Sequence, residues 1–162
     1  LSQDLSGRID SNIVWNTNSV DTKWWCPGYT FGSTDYSFRQ GVLEKPSTIT
    51  SCTGLLSLSD THILVVQSDG NVVIYNLSDK QAIWNTGTSG VGKAPYNLTY
   101  QMDGNIILRD STDLTMWTSG TYGKDSTYLV LQGDGNFVLY NGIPTVDNNN
   151  FVHGNAVWAT KW

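Results

Sequence analysis

The sequence predicts an all-β fold built from three similar units. Of its 14 acidic residues only Glu44 is a glutamate, and there are only four alanines, whereas helices are built largely from such residues. Charged residues make up only 14% of the 162 positions, so neutral polar groups must cover the surface. Three stretches are nearly the same: "QSDGNVVIY" at 67–75, "QMDGNIILR" at 101–109 and "QGDGNFVLY" at 132–140. Repeats at this spacing indicate one small structural unit used three times.

Each unit combines a hairpin with a strand that carries a tryptophan. The leading glutamines are 34 and 31 residues apart, and the hairpins are followed by Trp84, Trp117 and Trp158. A turn rich in Gly, Thr and Ser closes the units. The third unit contains an insertion, "GIPTVDNNNFVHGN" at 142–155, which we expect to form a surface loop.

The alternation of residues predicts which side of each hairpin faces the core. A three-residue turn at 68–70, with Gly70 in the left-handed conformation, places Gln67 opposite Asn71. Polar residues then share one face, and the opposite face is apolar. The residues predicted to face inward are Val66, Val72, Ile74, Tyr100, Ile106, Leu108, Leu131, Phe137 and Leu139. Three sheets that are apolar on one side bury those sides most simply in a triangle around the tryptophans. A β-trefoil is the alternative threefold fold.

The polar faces carry the candidate functional residues in three rows. Row 1 is Gln67, Asp69, Asn71, Val73 and Tyr75; row 2 is Gln101, Asp103, Asn105, Ile107 and Arg109; row 3 is Gln132, Asp134, Asn136, Val138 and Tyr140. An Asp-Gly turn with solvated neighbours explains the glycines, but not the recurring Gln or the Tyr. A carboxylate, two amides and a phenol beside an apolar methyl suit a polyhydroxylated ligand, because they accept from and donate to hydroxyl groups.

The pattern Gln-x-Asp-x-Asn-x-Val-x-Tyr resembles that of the bulb-type (monocot mannose-binding, snowdrop-like) lectins, over roughly residues 55–162. The resemblance implies a β-prism II fold, with three four-stranded antiparallel sheets in pseudo-threefold symmetry and one α-D-mannose site per unit. It also implies that no metal or other cofactor is bound. Rows 1 and 3 would be carbohydrate sites, in which Asp and Asn contact the axial O2 of mannose, Gln O3 and Tyr O4, while Val packs on the ring carbons.

Two departures from the family pattern are visible. Row 2 has Arg109 where the family has Tyr, so the site formed by Gln101, Asp103, Asn105 and Ile107 is predicted to be weaker or altered. Arg109 is expected to be a solvated strand residue pairing with Asp103 or Asp110. Many family members place a cysteine where this chain has Gly70, so the family disulfide is not expected here.

The first 50 residues are predicted to be an extension, and residues 51–162 the lectin domain. Cys26 and Cys52 allow a single intramolecular pairing, which we favour over two free thiols and which predicts a secreted or periplasmic protein. The stretch around Trp15 resembles the one around Trp84, as a partial extra repeat would. The extension also concentrates aromatic residues, which either cover exposed core or form a ligand or partner surface; they are Trp24, Trp25, Tyr29, Phe31, Tyr36 and Phe38.

Several classes of function are disfavoured. A net charge of −5 argues against a nucleic-acid binder, and no apolar run reaches the roughly 18 residues of a membrane span. His62 and His153 lack a zinc or triad pattern, and each motif Asp stands without a second carboxylate, so we expect neither an enzyme nor a metal site.

The predicted partners are mannose-containing glycans or glycoproteins. The family resemblance implies a homodimer, since family members commonly exchange their C-terminal strands, here the one ending at Trp162. Two alternatives remain: a lectin-like toxin or bacteriocin that uses the sugar sites for docking, and a structural or inhibitory protein whose sites are inactive.

Overall fold

The computed structural model describes residues 3–5, 12–14, 24–26, 37–149 and 151–161, and the elements in these ranges are strands. The strands are β1 Gln3–Asp4, β2 Asn12–Val14, β3 Ser37–Gln40, β4 Val42–Glu44, β5 Ser47–Thr50, β6 Gly54–Leu56, β7 His62–Val66, β8 Val72–Asn76, β9 Ala82–Asn85, β10 Asn97–Tyr100, β11 Ile106–Arg109, β12 Thr115–Thr118, β13 Tyr128–Leu131, β14 Phe137–Val146 and β15 Val152–Ala159. The all-β prediction is confirmed. None of the described residues forms a helix that could cross a bilayer. The predictions for Trp15, Tyr29, Phe31, Tyr36 and Trp162 fall outside the described residues.

Each of the three sheets contains four antiparallel strands and carries one motif row. Sheet 1 contains β6-β7-β8-β9, sheet 2 contains β5-β10-β11-β12, and sheet 3 contains β4-β13-β14-β15. In sheet 1, β3 adds in parallel beside β6 and β2 lies outside it; in sheet 3, β1 pairs with the far end of β14. The predicted three four-stranded sheets are therefore present, and two of them are widened by short N-terminal strands.

Residues 42–50, which the sequence analysis assigns to the extension, form the edges of two sheets. Strand β4 pairs with β13 in sheet 3, and β5 pairs with β10 in sheet 2. This part of the predicted extension therefore completes sheets whose other strands lie beyond residue 50.

The three inner faces form one apolar core. All nine residues predicted to face inward belong to it, and Trp84, Trp117 and Trp158 pack against it. The ring of Trp117 meets those of Trp84 and Trp158 edge to face, at centroid distances of 5.7 and 6.0 Å. The edge-to-face geometry is favourable for aromatic pairs, so the three tryptophans join the three units near the pseudo-threefold axis.

Sheets 1 and 3 are also buried on their outer faces, contrary to the prediction that each sheet is apolar on one side only. In β7, Leu64 and Val66 face the core, whereas Ile63 and Val65 lie in a second cluster with Trp25 and Phe38. The interpretation that the aromatic extension covers exposed core is thus correct for these two side chains.

Leu5 covers the outer face of sheet 3. It is fully buried in an outer cluster with Tyr128 and Val130 of β13. The extension therefore covers the outer faces of two sheets, and the described residues form no such cluster outside sheet 2.

Cys26 and Cys52 form a disulfide with a Cα–Cα distance of 5.6 Å, which confirms the predicted pairing. Cys52 follows β5, so the bond attaches residues 24–26 to the start of sheet 1. In the unfolded chain the same bond would close a loop across the 26-residue separation and so restrict its conformational freedom.

The insertion at 142–155 is a hairpin rather than a loop. Strands β14 and β15 continue into it, and Val146 pairs with Val152 at its far end. The prediction was wrong because Thr145 and His153 extend the ladder beyond the Gly142 bend.

Candidate functional site

The three motif turns have the predicted geometry. The N–H of each Gln donates to the carbonyl oxygen of the Asn four residues later, at 2.8 Å in row 1 and 2.9 Å in rows 2 and 3. The intervening glycines have positive φ angles: Gly70 91°, Gly104 88° and Gly135 83°. Each row therefore begins at a tight turn that fixes the direction of the Asp and Asn side chains.

Each motif Asp has a structural role in its turn. In all three rows its Oδ1 accepts the N–H of the Asn two residues later at 2.9 Å; the pairs are Asp69–Asn71, Asp103–Asn105 and Asp134–Asn136. In row 1 the other oxygen, Oδ2, accepts the hydroxyl of Ser89 at 2.8 Å. Asp69, Asp103 and Asp134 are all exposed, so a ligand can still reach their carboxylates.

Each motif Asn side chain accepts hydrogen bonds from residues that follow the tryptophan strand of its unit. In row 1 the Oδ1 of Asn71 accepts the hydroxyl of Thr86 at 3.0 Å and the N–H of Thr88 at 3.2 Å. Row 2 repeats the arrangement, since Asn105 Oδ1 accepts from Ser119 Oγ and Thr121 N, both at 3.2 Å.

In row 3, Asn136 Oδ1 accepts from Thr160 Oγ1 at 3.0 Å and from Lys161 N at 2.9 Å, and its amide donates to Lys161 O at 3.0 Å. In all three rows the side-chain carbonyl of the Asn thus accepts hydrogen bonds from the fold. In row 1 its NH₂ group donates to Asn85 Oδ1 at 3.4 Å.

The partner hydroxyls were missed by the sequence analysis. Thr86, Ser119 and Thr160 each stand two residues after the repeat tryptophan, and each also accepts the first N–H of the strand that follows the motif turn. The signal was available, because a Ser or Thr recurs at this position in all three units.

Rows 1 and 3 join their Gln and Tyr by a hydrogen bond. Gln67 Nε2 donates to the Tyr75 hydroxyl, whereas the Tyr140 hydroxyl donates to Gln132 Oε1. Burial raises the pKa of Tyr75, and burial together with the nearby Asp134 charge raises the pKa of Tyr140 to about 12. Both phenols therefore keep their proton at neutral pH.

Row 1 is flanked by the disulfide-held segment of the extension. The ring of Trp24 meets Tyr75 edge to face at 4.9 Å, and the N–H of Ser68 donates to Cys26 Sγ at 3.1 Å. Tyr75 stays half-buried, so Trp24 forms a wall beside the row and does not seal it. All five predicted residues of row 1 are brought together, although Val73 is almost fully covered.

Row 2 lies on the sheet whose outer face the described part of the chain leaves most open. Thr48 and Thr99 bond to each other at 3.2 Å on this face, and Ile107 is 8% exposed. Arg109 occupies the Tyr position and is half-buried.

Asp110, next to Arg109, acts in the fold. A hydrogen bond from the Thr112 hydroxyl, with further bonds from the N–H groups of Lys93, Thr112 and Leu114, lowers its pKa to about 2. Asp110 therefore links the loop before β10 to the turn between β11 and β12, which lie at the same end of sheet 2.

The side chains of row 3 differ in how far they are buried. Asp134 is exposed and Asn136 half-buried, whereas Val138 is 2% and Tyr140 4% exposed. Leu5 packs into the same outer cluster as both buried residues, and a Cβ added to Gly154 would lie only 2.8 Å from Tyr140 Cδ1. The structure thus presents the Asp/Asn end of row 3 and covers its Val and Tyr.

The site has the chemistry of a neutral polar ligand. No group of three or more His, Cys, Asp or Glu that could hold a metal ion occurs within the described ranges. Each row instead presents an exposed Asp carboxylate two residues before an anchored Asn, and carboxylate and amide groups accept from and donate to hydroxyl groups.

Both the sequence comparison and the structure comparison find similarity to mannose-specific or mannose-binding lectins. No family model matches the chain. A mannose-specific lectin of Aloe arborescens is 31% identical over 98 residues, which are 59% of this chain and 75% of that lectin. Several other curated relatives are longer, and the chain spans about a third of their length.

Two solved structures superpose on most of the sheets. A monomeric monocot mannose-binding lectin from Gastrodia elata has a TM-score of 0.59 and 31% identity, with 75% of this chain and 97% of that chain covered. The mannose-specific agglutinin of snowdrop, Galanthus nivalis, solved with methyl-α-D-mannoside, has a TM-score of 0.57 and 29% identity, covering 64% and 91%. The three-sheet arrangement described above is therefore the β-prism II fold of these proteins.

Proposed function

This chain belongs to the bulb-type, mannose-specific lectin family, and we propose that it binds α-D-mannose in mannosylated glycans, without a metal, through its motif rows. The main support is that the same hydrogen-bonded turn occurs three times, and each copy holds an exposed Asp carboxylate two residues before an Asn that the fold anchors. Such a pair is suited to a hydroxyl that both donates and accepts, as the axial O2 of mannose does.

The three rows are expected to differ in strength. Row 1 is proposed as the principal site, because Asp69 is exposed, Asn71 is oriented and Tyr75 remains half-buried beside them. Row 2 is proposed to be weak, since Arg109 cannot accept a hydrogen bond as a phenol does. Row 3 is proposed to bind through Gln132, Asp134 and Asn136, with Val138 and Tyr140 supporting them from below.

Other aspects of the sequence interpretation stay proposals. The disulfide supports an oxidising compartment, and we propose that the protein is secreted. The homodimer and the alternative of a lectin-like toxin stay predictions. We propose no enzymatic activity.

The experiment that tests the proposal compares methyl α-D-mannoside with methyl α-D-glucoside, which differ only in the orientation of the C2 hydroxyl. We expect the mannoside to shift the backbone NMR signals of row 1 with a dissociation constant on the order of millimolar, because a shallow monosaccharide site desolvates few atoms. The glucoside should bind at least about tenfold more weakly, and EDTA should change neither titration. Equal responses to both sugars, or no response to either, would contradict the proposal.

A further inference from the structure

A cleft of ≈ 340 Å³ lies at the exposed end of row 3. It is lined by Ser59, Gln132, Gly133, Asp134, Asn149, Phe151 and Val152. Gln132 and Asp134 come from the motif row, whereas Asn149, Phe151 and Val152 come from the inserted hairpin. One wall of the cleft therefore belongs to the predicted sugar site, and the opposite wall belongs to a part of the chain that the other two units lack.

The hairpin changes where a sugar could lie on row 3. In this row Val138 and Tyr140 are covered by Leu5 and by the hairpin around Gly154. A ligand held by Asp134 must therefore lie toward the turn, where the cleft opens. It would extend along the hairpin rather than across the outer face of the sheet.

Phe151 gives the cleft an apolar surface. Its side chain is 61% exposed and lines the cleft together with polar residues of row 3. Exposed aromatic rings beside a few polar groups are the common composition of ligand clefts, and a sugar ring offers C–H groups that can pack on such a face.

Asp147 holds both Asn149 and Phe151, which line the cleft on the hairpin side. Its Oδ1 accepts the N–H groups of Asn149 at 2.8 Å and Phe151 at 3.1 Å, and its own N–H donates to Phe151 O at 3.0 Å. Its Oδ2 lies 2.8 Å from His153 Nε2. These bonds lower the pKa of Asp147, that from His153 most of all. A wall that is already ordered loses little conformational entropy when a ligand binds.

The cleft is larger than a single-sugar contact requires, and a second depression lies beside it. The volume of the cleft falls in the range of about 300–1,000 Å³ that accommodates a ligand of disaccharide size or more. Gly133 also borders a second depression of ≈ 480 Å³, which is lined by Asp60, Thr61, His62, Asn76, Leu77 and Ser78. The surface next to row 3 thus has room for a chain of sugars.

We propose that the row-3 cleft binds two adjoining hexoses of a mannosylated glycan, one at Gln132 and Asp134 and the next against Phe151. The inference rests on the proposed function and adds to it a specificity-determining residue. It makes row 3 a site for glycan chains, whereas row 1 reads a single terminal hexose.

The test compares methyl α-D-mannoside with the methyl glycosides of α1,2-, α1,3- and α1,6-linked dimannosides. Binding is followed through the backbone NMR signals of Gly133, Asp134 and Asn149, which separate row 3 from row 1. The variant is Phe151→Ala, and the matched control is Ile143→Ala, which removes an apolar side chain that is 54% exposed on the same hairpin but outside the cleft.

In the wild-type protein, at least one dimannoside should bind the cleft about tenfold more tightly than the monosaccharide. Phe151→Ala should reduce that advantage to about twofold or less and leave monosaccharide binding nearly unchanged. Ile143→Ala should behave like the wild type in both titrations.

Two outcomes would overturn the inference while the proposed function stands: no dimannoside advantage at row 3, or an advantage that survives in Phe151→Ala. An equal loss of monosaccharide and dimannoside binding in Phe151→Ala would also overturn it, because the ring would then contact the first hexose. If no mannoside shifts the signals of any row, the proposed function fails and this inference fails with it.

Discussion

Asn71→Asp is expected to weaken mannoside binding at row 1 by at least about tenfold. The loss should be on the order of 100-fold if the missing amide donor and the added negative charge both act on the sugar. The substitution keeps the Oδ1 acceptor that Thr86 and Thr88 bond and loses the long 3.4 Å bond from the Asn71 amide to Asn85 Oδ1, so the turn should stay intact. It replaces the amide donor by a second carboxylate next to Asp69. A sugar hydroxyl group would then have no donor at this position and would face an added negative charge. The measurement is the row-1 NMR titration with methyl α-D-mannoside.

Two further variants separate the loss of binding from the loss of structure. Asn155→Asp makes the same change of charge at an exposed position of β15 and should bind as the wild type does. Asn71→Ala removes the acceptor as well, and leaving the Thr88 N–H unsatisfied should lower the free energy of unfolding by about 1–3 kcal/mol. Unchanged mannoside affinity in Asn71→Asp, with the fold intact, would remove Asn71 from the site.

Gly54→Ala is expected to destabilise the protein by on the order of 3–5 kcal/mol, or to prevent folding. A Cβ at this position would overlap the backbone carbonyl oxygen of Leu64 in the neighbouring strand. A backbone atom cannot rotate away as a side chain can, so β6 and β7 would have to separate. Urea unfolding followed by tryptophan fluorescence measures the change.

Gly87→Ala is the matched control for this effect. Gly87 has a φ of 71°, but a Cβ there would meet nothing within 4 Å. The control should therefore cost only the strain of a left-handed alanine, about 1 kcal/mol. If the two variants lose similar stability, close approach of the strands at Gly54 is not the reason why glycine is needed there.

The parts of the fold that local pattern determines could be predicted from the sequence. The Gln-x-Asp-Gly-Asn turns, the inward residues and the meeting of Trp84, Trp117 and Trp158 all follow from period-two alternation and a left-handed glycine. The turns and the inward residues depend on residues close in sequence and occur three times, so each copy supports the others. The tryptophans meet because three sheets with apolar inner faces bury those faces together.

The covering of the outer faces could be predicted only in part. The unbroken apolar run from Ile63 to Val66 is typical of a strand buried on both sides, in contrast to Asn97–Tyr100, where exposed and buried residues alternate. What covers such a strand could not be predicted, because Leu5, Trp25 and Phe38 come from a distant segment that has no repeat to fix its register.

The same limit applied to the candidate site. The motif identified the five residues of row 3 as a unit, but Leu5 and the inserted hairpin cover Val138 and Tyr140, whereas Asp134 stays exposed. A pattern within one strand cannot show whether a later segment folds back over it. The motif Asn residues, by contrast, have a structural role as hydrogen-bond acceptors beside their predicted role in the site. The Ser or Thr that recurs two residues after each tryptophan could have shown it.

A crystal structure of the protein saturated with methyl α-D-mannoside would show which groups hold the sugar. We expect a hexose at row 1 whose O2 lies within about 3.2 Å of both the Asp69 carboxylate and the Asn71 amide. A mannoside bound away from all three Asp/Asn pairs, or a row 1 left empty at saturation, would contradict this expectation.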